Sequence, residues 1–555
     1  MHHSSPPLSS FPQSRQSTVH YRKTRPLPIQ LLDHCTVCIE EQLYSQAFSL
    51  LSGALTSGTG SSGEAHIPPT QHLALAATLV VHPQLTTRTT SPDKQVAADD
   101  ALGYLRHVNS LTGPRASGLD QAFRFCNAAT SIRGKRTRTR VSEIGSDDED
   151  EKPGRIRSPY VEKESLWTNA ESFCDVLGWA FNCSIAHRHR WDRWKLWLDL
   201  LLKVLQDDLE SRLPEAEKLY AATGSIAAVE SILKDSMFSR YVSSIGAGRN
   251  NKRRLMRAVL ADGQPKSLAE FGEIWKHEAK APKQKQDDRS SKRRKLDLEN
   301  GDYGDYFDDS DEGSLQSSVR RSRSVTANPS KRQSRAASKH EDDSEEEANG
   351  TTIPNASGSA SDIDSFGGMD ALHLRQRILA LLTLFCLKNP EAFLDTEDLF
   401  DLYTEFFRPL PLAIFQQFVL PTKPWLGPNS QASLVQMLLR PLLVQTAPPY
   451  DENALKQAEF EAHYAPFAAN GTGYVDNAKV SLMIESLLRL LWSSENVECT
   501  PRLRRLVEEG IKARKEKVAW DGRKKAGVKL KADAEAVLVM DCSADRMLTM
   551  LDMAE

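Results

Sequence analysis

The 555-residue chain has no apolar run long enough to span a bilayer. Its two longest, Leu73 to Val81 and Ile378 to Leu387, reach about half of the ~20 residues that a membrane helix needs. Cysteine is sparse. Eight widely scattered residues cannot make the disulfide framework of a small secreted domain. The opening Met1-His2-His3-Ser4-Ser5-Pro6-Pro7 lacks the apolar core of a secretory signal. Together these absences predict a soluble intracellular protein with reduced thiols and no membrane partner. Catalytic signatures are missing too: there is no P-loop lysine motif, no Gly-x-Ser-x-Gly and no second Cys-x-x-Cys. Without a recognisable set of nucleophile, base and orienter, the expectation is a non-enzyme with no cofactor and no metal. A formal net charge of -3 gives no global pull toward nucleic acid, so any electrostatic partner has to be read locally.

What the chain does contain is helical periodicity, unevenly distributed. Residues 1–27, rich in Ser, Pro and Arg, are expected to be disordered. A helical-hairpin region follows at 28–132, where apolar residues from Ile29 to Ala54 recur mostly at three- and four-residue steps. Further helices are predicted there at about 70–82, 94–109 and 119–131. A charged linker at 133–164 joins a basic run, Arg133 to Arg140, to an acidic one, Asp147 to Glu151. Residues 165–278 form a Trp-rich helical region. One of its faces carries Phe173, Val176, Leu177, Ala180 and Phe181, and another carries Trp191, Trp194, Leu198, Leu201 and Leu205. Residues 279–367 read as a disordered linker, 368–500 as a C-terminal helical lobe, and 501–555 as a basic helix followed by a C-terminal helix. Prolines such as Pro409, Pro411, Pro421, Pro424 and Pro428 cut the second lobe into short helices. No stretch sustains period-2 alternation. The predicted fold class is all-α: two irregular, solenoid-like helical lobes joined by a long disordered linker.

The segment Tyr44-x-x-Ala47-x-x-Leu50-Leu51-x-x-Ala54-Leu55 is similar to part of a tetratricopeptide unit, with small residues where helices approach closely. The 34-residue period of that family is absent. The resemblance therefore covers one unit and implies a style of helix packing only.

Several candidate sites read more simply as structure. Gly58-Thr59-Gly60-Ser61-Ser62-Gly63 satisfies the dinucleotide-binding pattern literally. That motif needs a strand before it and a helix N-terminus after it, whereas here a helix precedes and Ile67-Pro68-Pro69 follows. Cys35 and Cys38 with His34 supply half of a zinc site, and core packing is the alternative. Trp179, Trp191, Trp194 and Trp197 could form an aromatic cage or a core stripe. Trp197 fits a single narrow face least well and is the candidate partner-docking residue.

Basic segments carry the functional signal. Lys292-Arg293-Arg294-Lys295, with Lys283 and Lys285 upstream, suits an importin groove and predicts nuclear localisation. Ser322, Ser324 and Ser334 lie in Arg-rich contexts and Ser146 and Ser310 in acidic ones, all candidates for phosphorylation. Between residues 502 and 531 twelve bases stand against four acids. Arg502, Arg504, Arg505, Lys512, Arg514, Lys515, Lys517, Arg523, Lys524 and Lys525 are the candidate DNA or RNA contacts. Arg249, Lys252, Arg253, Arg254 and Arg257 form a smaller strip. The functional expectation is a non-enzymatic nuclear scaffold or adaptor in a chromatin, transcription or genome-maintenance complex. Its expected partners are other proteins of that complex and importin. The alternative is a direct, sequence-nonspecific nucleic-acid-binding factor using the basic C-terminal helix.

Overall fold

Prolines and glycines punctuate the first helices. The computed structural model describes residues 20–57, 63–125, 155–246, 248–280, 362–443, 455–494, 497–519 and 531–553. Strand β1 (Thr24–Pro26) precedes helices α1 (Ile29–Glu40) and α2 (Tyr44–Thr56), which pack as a hairpin through a turn at Gln42 with φ 60°. The tetratricopeptide-like segment Tyr44 to Leu55 lies within α2. Strand β2 (Ala65–Ile67) pairs in parallel with β1. Three residues per strand are too few to print an alternating pattern, so this pair was not legible in the sequence.

Helix α3 (Thr70–Val81) follows Pro69, and α4 (Pro92–Ser117) packs on both α2 and α3. Gly113-Pro114 bends α4. Gly113 sits at φ 70°, and a Cβ there would lie 2.8 Å from the Tyr21 ring. Short helices α5 (Leu119–Ala122) and α6 (Leu166–Asn169) lead to α7 (Phe173–Ala186). Helix α5 is much shorter than the helix expected at 119–131.

The Trp-rich stripe belongs to α8 (Arg188–Thr223), 36 residues and about 54 Å long at 1.5 Å per residue. Its Pro214 is exposed, and Gly224 ends it in the left-handed conformation. Helices α9 (Ile226–Lys234), α10 (Met237–Ile245), α11 (Arg249–Val259) and α12 (Pro265–Glu270) complete this region. The buried Asp208 carboxylate accepts the Met237 amide at 2.7 Å and Arg212 at 3.1 Å, tying the start of α10 to α8.

Beyond residue 361 come α13 (Gly368–Lys388), a 3-10 turn (Pro390–Ala392), α14 (Thr396–Phe407), α15 (Leu412–Val419) and α16 (Pro428–Leu439). Helices α17 (Gln457–His463), α18 (Tyr474–Ser493), α19 (Pro501–Ala519) and α20 (Lys531–Asp552) follow. The architecture is all-α, with helical regions on both sides of residues 281–361. Those regions share one compact unit. Helix α13 packs on α7 and α8, and α11 packs on α14.

Arg375 on α13 shows how the two regions are joined. Fully buried, it donates to the carbonyls of Val259 (2.9 Å), Ala261 (2.8 Å) and Phe366 (2.7 Å). Its guanidinium lies between the rings of Phe181 and Phe366, at 4.4 and 4.1 Å. On α8, Asp199 takes Arg377 of α13 at 2.6 Å and Arg106 of α4 at 3.2 Å. Among the described residues no helix is long and apolar enough to cross a membrane.

Candidate interaction surfaces

The aromatic residues proposed for docking are core residues. Trp197 is 1 % exposed and its Nε1 donates to the Ala77 carbonyl at 3.1 Å. Trp179, Trp191 and Trp194 are buried with it. The docking assignment of Trp197 is therefore corrected. Helix α8 packs against α3, α4, α7 and α13, so its stripe is wider than a single narrow face and closes over Trp197. Nearby, Arg190 and Glu278 form an ion pair with no exposed surface. The Glu278 carboxylate accepts Arg190 Nε and Nη2, at 2.9 and 2.5 Å, and Trp194 Nε1 at 2.8 Å. Arg190 also donates to Thr86, Thr87 and the Val81 carbonyl. Every strong donor and acceptor of this cluster has a partner in the fold, so it is a structural clamp.

The cysteine pair is also inward. Cys35 and Cys38 are buried, burial pushes the Cys35 thiol up to about 11, and His34 is exposed. A raised thiol pKa disfavours the thiolate that a metal would need. Helix α2 ends at Thr56, before the glycine motif, and β2 rather than a helix follows it.

On α19 the buried stripe runs Leu503, Val507, Gly510, Arg514, Val518. Arg514 is thus turned inward, 1 % exposed, with Nη1 donating to the Phe467 carbonyl at 3.0 Å and burial lowering its pKa to about 9. Gly510 permits this approach, since a Cβ there would stand 1.9 Å from the Ala465 carbonyl oxygen. Arg514 is corrected from a nucleic-acid contact to a packing residue. The outward cations meet carboxylates: Arg502 with Glu461 (3.3 Å), Arg504 with Asp552 (2.7 Å) and Lys515 with Asp541 (2.8 Å). Arg505 and Lys512 pair within the helix with Glu509 and Glu516, and Lys517 is half-buried. The positive field of this helix is consequently much weaker than its own sequence suggests. Arg523, Lys524 and Lys525 lie outside the described residues.

The smaller basic strip divides. Arg253 pairs with Glu405, Arg254 with Asp175 at 2.5 Å, and Arg257 with Glu270 at 2.8 Å. Arg249 and Lys252 instead line an open groove of about 1310 Å³ between α11, α14, the end of α16 and the start of α18. Asp398, Asp401 and Glu405 stand on its α14 wall, with Arg408, Arg440 and Asp476 also lining it. Leu394, Leu402 and Met437 are buried beneath these charges. Sequence reasoning singled out only Arg249 and Lys252 of this set. The one signal for the rest was the exposed i, i+3, i+7 row Asp398, Asp401, Glu405.

The proposed import signal (Lys283, Lys285, Lys292, Arg293, Arg294, Lys295) and the candidate phosphorylation sites Ser146, Ser310, Ser322, Ser324 and Ser334 lie outside the described residues. No protein-family model matches the chain, and no curated protein matches it significantly.

Proposed function

We propose that this protein is a non-enzymatic nuclear scaffold or adaptor subunit of a chromatin, transcription or genome-maintenance complex, binding partner proteins through helical surfaces. The observation that carries this is the charged groove between α11 and α14. Its exposed side chains are set on helices anchored by a shared core, and rigid presentation of separated charges favours specific protein recognition. The nuclear part rests on the Lys292-Arg293-Arg294-Lys295 tetrad, whose basic side chains suit an importin. Direct nucleic-acid binding through α19 has less support, because the carboxylates of Glu461, Asp541 and Asp552 draw on its cations.

Two measurements test the proposal. Tagged protein with Lys292, Arg293, Arg294 and Lys295 changed to alanine should leave the nucleus, and unchanged nuclear retention would sink the import assignment. Affinity purification from nuclear extract, with and without nuclease, should recover a stoichiometric partner set that survives nuclease. Partners lost on nuclease treatment would favour nucleic-acid binding, and no stable partner at all would overturn the scaffold.

A further inference from the structure

Opposite charges line the groove between α11 and α14 without neutralising one another. Asp398, Asp401 and Glu405 form a row along α14 that spans about 10 Å at ~1.5 Å per residue. Arg249, Lys252, Arg408 and Arg440 share the lining. Glu405 is engaged by Arg253, and Lys252 lies 5.5 Å over the Phe393 ring. Arg249, Arg408, Arg440, Asp398 and Asp401 enter no ion pair among the described residues. The contrast on α11 itself is informative, because Arg253, Arg254 and Arg257 all find carboxylates. At about 1310 Å³ the groove exceeds the roughly 300–1,000 Å³ of small-molecule clefts.

The geometry points to this groove as the docking site for an extended, mixed-charge peptide segment of a partner protein. Basic residues of that segment lie against the carboxylate row of α14, and acidic residues face Arg249, Arg408 and Arg440. This rests on the scaffold proposal and names the chemistry of one partner. Charge complementarity selects the occupant. A polyanion such as nucleic acid would meet Asp398, Asp401, Glu405 and Asp476, and a purely basic tail would meet the four cations. Like charges brought together are penalised, which rejects both. In an extended chain, side chains on one face recur about every 7 Å, so two alternate basic residues cover most of the acidic row. The buried Leu394, Leu402 and Met437 give an apolar side chain between the charges a floor to rest on.

The test uses the full-length protein and fluorescence polarisation. The probes are labelled peptides of equal length, one with adjoining Lys/Arg and Asp/Glu blocks, one polybasic and one polyacidic, together with duplex and single-stranded DNA. The mixed-charge peptide should bind best, weaken as salt rises, and weaken about tenfold in each of Asp401→Lys and Arg440→Glu. Both positions are exposed, so the variants should retain the far-UV spectrum of the wild type. Failure of the mixed-charge peptide to bind, wild-type affinity in both variants, or tighter binding of the polybasic peptide or DNA would each overturn the assignment. If nuclease-resistant partners are still recovered from nuclei, such a failure removes this groove and leaves the scaffold standing. If no such partners are recovered, the scaffold itself falls.

Discussion

Replacing Glu278 by leucine would strand the Arg190 guanidinium in the core, and the cost can be worked from the geometry. Both side chains have no exposed surface. The carboxylate receives two Arg190 nitrogens, Trp194 Nε1 and the Trp275 amide, the last at 3.3 Å. Breaking a buried pair by removing one partner costs about 3–5 kcal/mol, because the remaining charge keeps its desolvation penalty without compensation. Glu278→Leu and Arg190→Met should each lose about 4 kcal/mol. The double variant removes both charges and leaves only neutral groups unsatisfied, the Val81 carbonyl foremost, at about 1–3 kcal/mol. It should therefore be more stable than either single variant, with a coupling of several kcal/mol. Urea unfolding followed by tryptophan fluorescence reads this directly, since Trp194 and Trp275 touch the pair. With urea slopes of about 1–3 kcal/mol/M in small proteins and larger ones here, a 4 kcal/mol loss lowers the midpoint by about 1 M. A single variant within about 1 kcal/mol of wild type, or a double variant that loses the sum of the two, would refute this account of the clamp.

Three other outcomes are expected. Gly178→Ala places a Cβ 2.1 Å from the Phe271 ring, and the overpacking should cost about 1–3 kcal/mol or more in urea unfolding; a neutral effect would mean that Phe271 moves freely. Trp197→Ala should lose about 3–5 kcal/mol of stability while its folded fraction recovers the same partners, and selective loss of one partner would return Trp197 to the docking surface. The third concerns pH. Burial lowers His72 to about 4, and burial with nearby Arg190 and Arg88 lowers His82 to about 3. Glu164 is 3.4 Å from His82 but 44 % exposed, too solvated to reverse this. Folded values below the ordinary 6.5 mean that the stability is intact above pH 6.5 and is lost as pH falls toward 4 and 3. At pH 5 each histidine should cost about 2 kcal/mol. The difference in urea midpoint between pH 7 and pH 5 should shrink in the His72→Gln/His82→Gln variant, and an unchanged difference would exclude these groups as its source.

Local periodicity was enough to place most helices of the second region. Apolar periodicity there places helices at about 369–388, 395–408 and 411–420, matching α13, α14 and α15; Pro390 and Pro409 follow the first two, and Pro411 and Pro421 bracket the third, by covalent geometry that is independent of partners. Helix α8 was harder to read. Its apolar stripe gives way to charged residues after Leu205, yet it continues to Thr223, because Asp208, Leu209, Arg212 and Ala216 keep a buried face there that the following helices cover.

Sequence alone determined the all-α class and the inward face of α7, both of which follow from the spacing of apolar residues within single helices. Tertiary structure decided which charged residues are available. Arg514 and Lys515 are neighbours on α19, but only Arg514 lies on the stripe that meets Ala465 and Phe467. Arg375 became a clip between the regions because three carbonyls from Val259, Ala261 and Phe366 converge on it. Arg249 and Asp401 share a groove although they are far apart in the chain. A charge's role depends on the field and the partners around it, and those come from helices that are brought together only when the core closes.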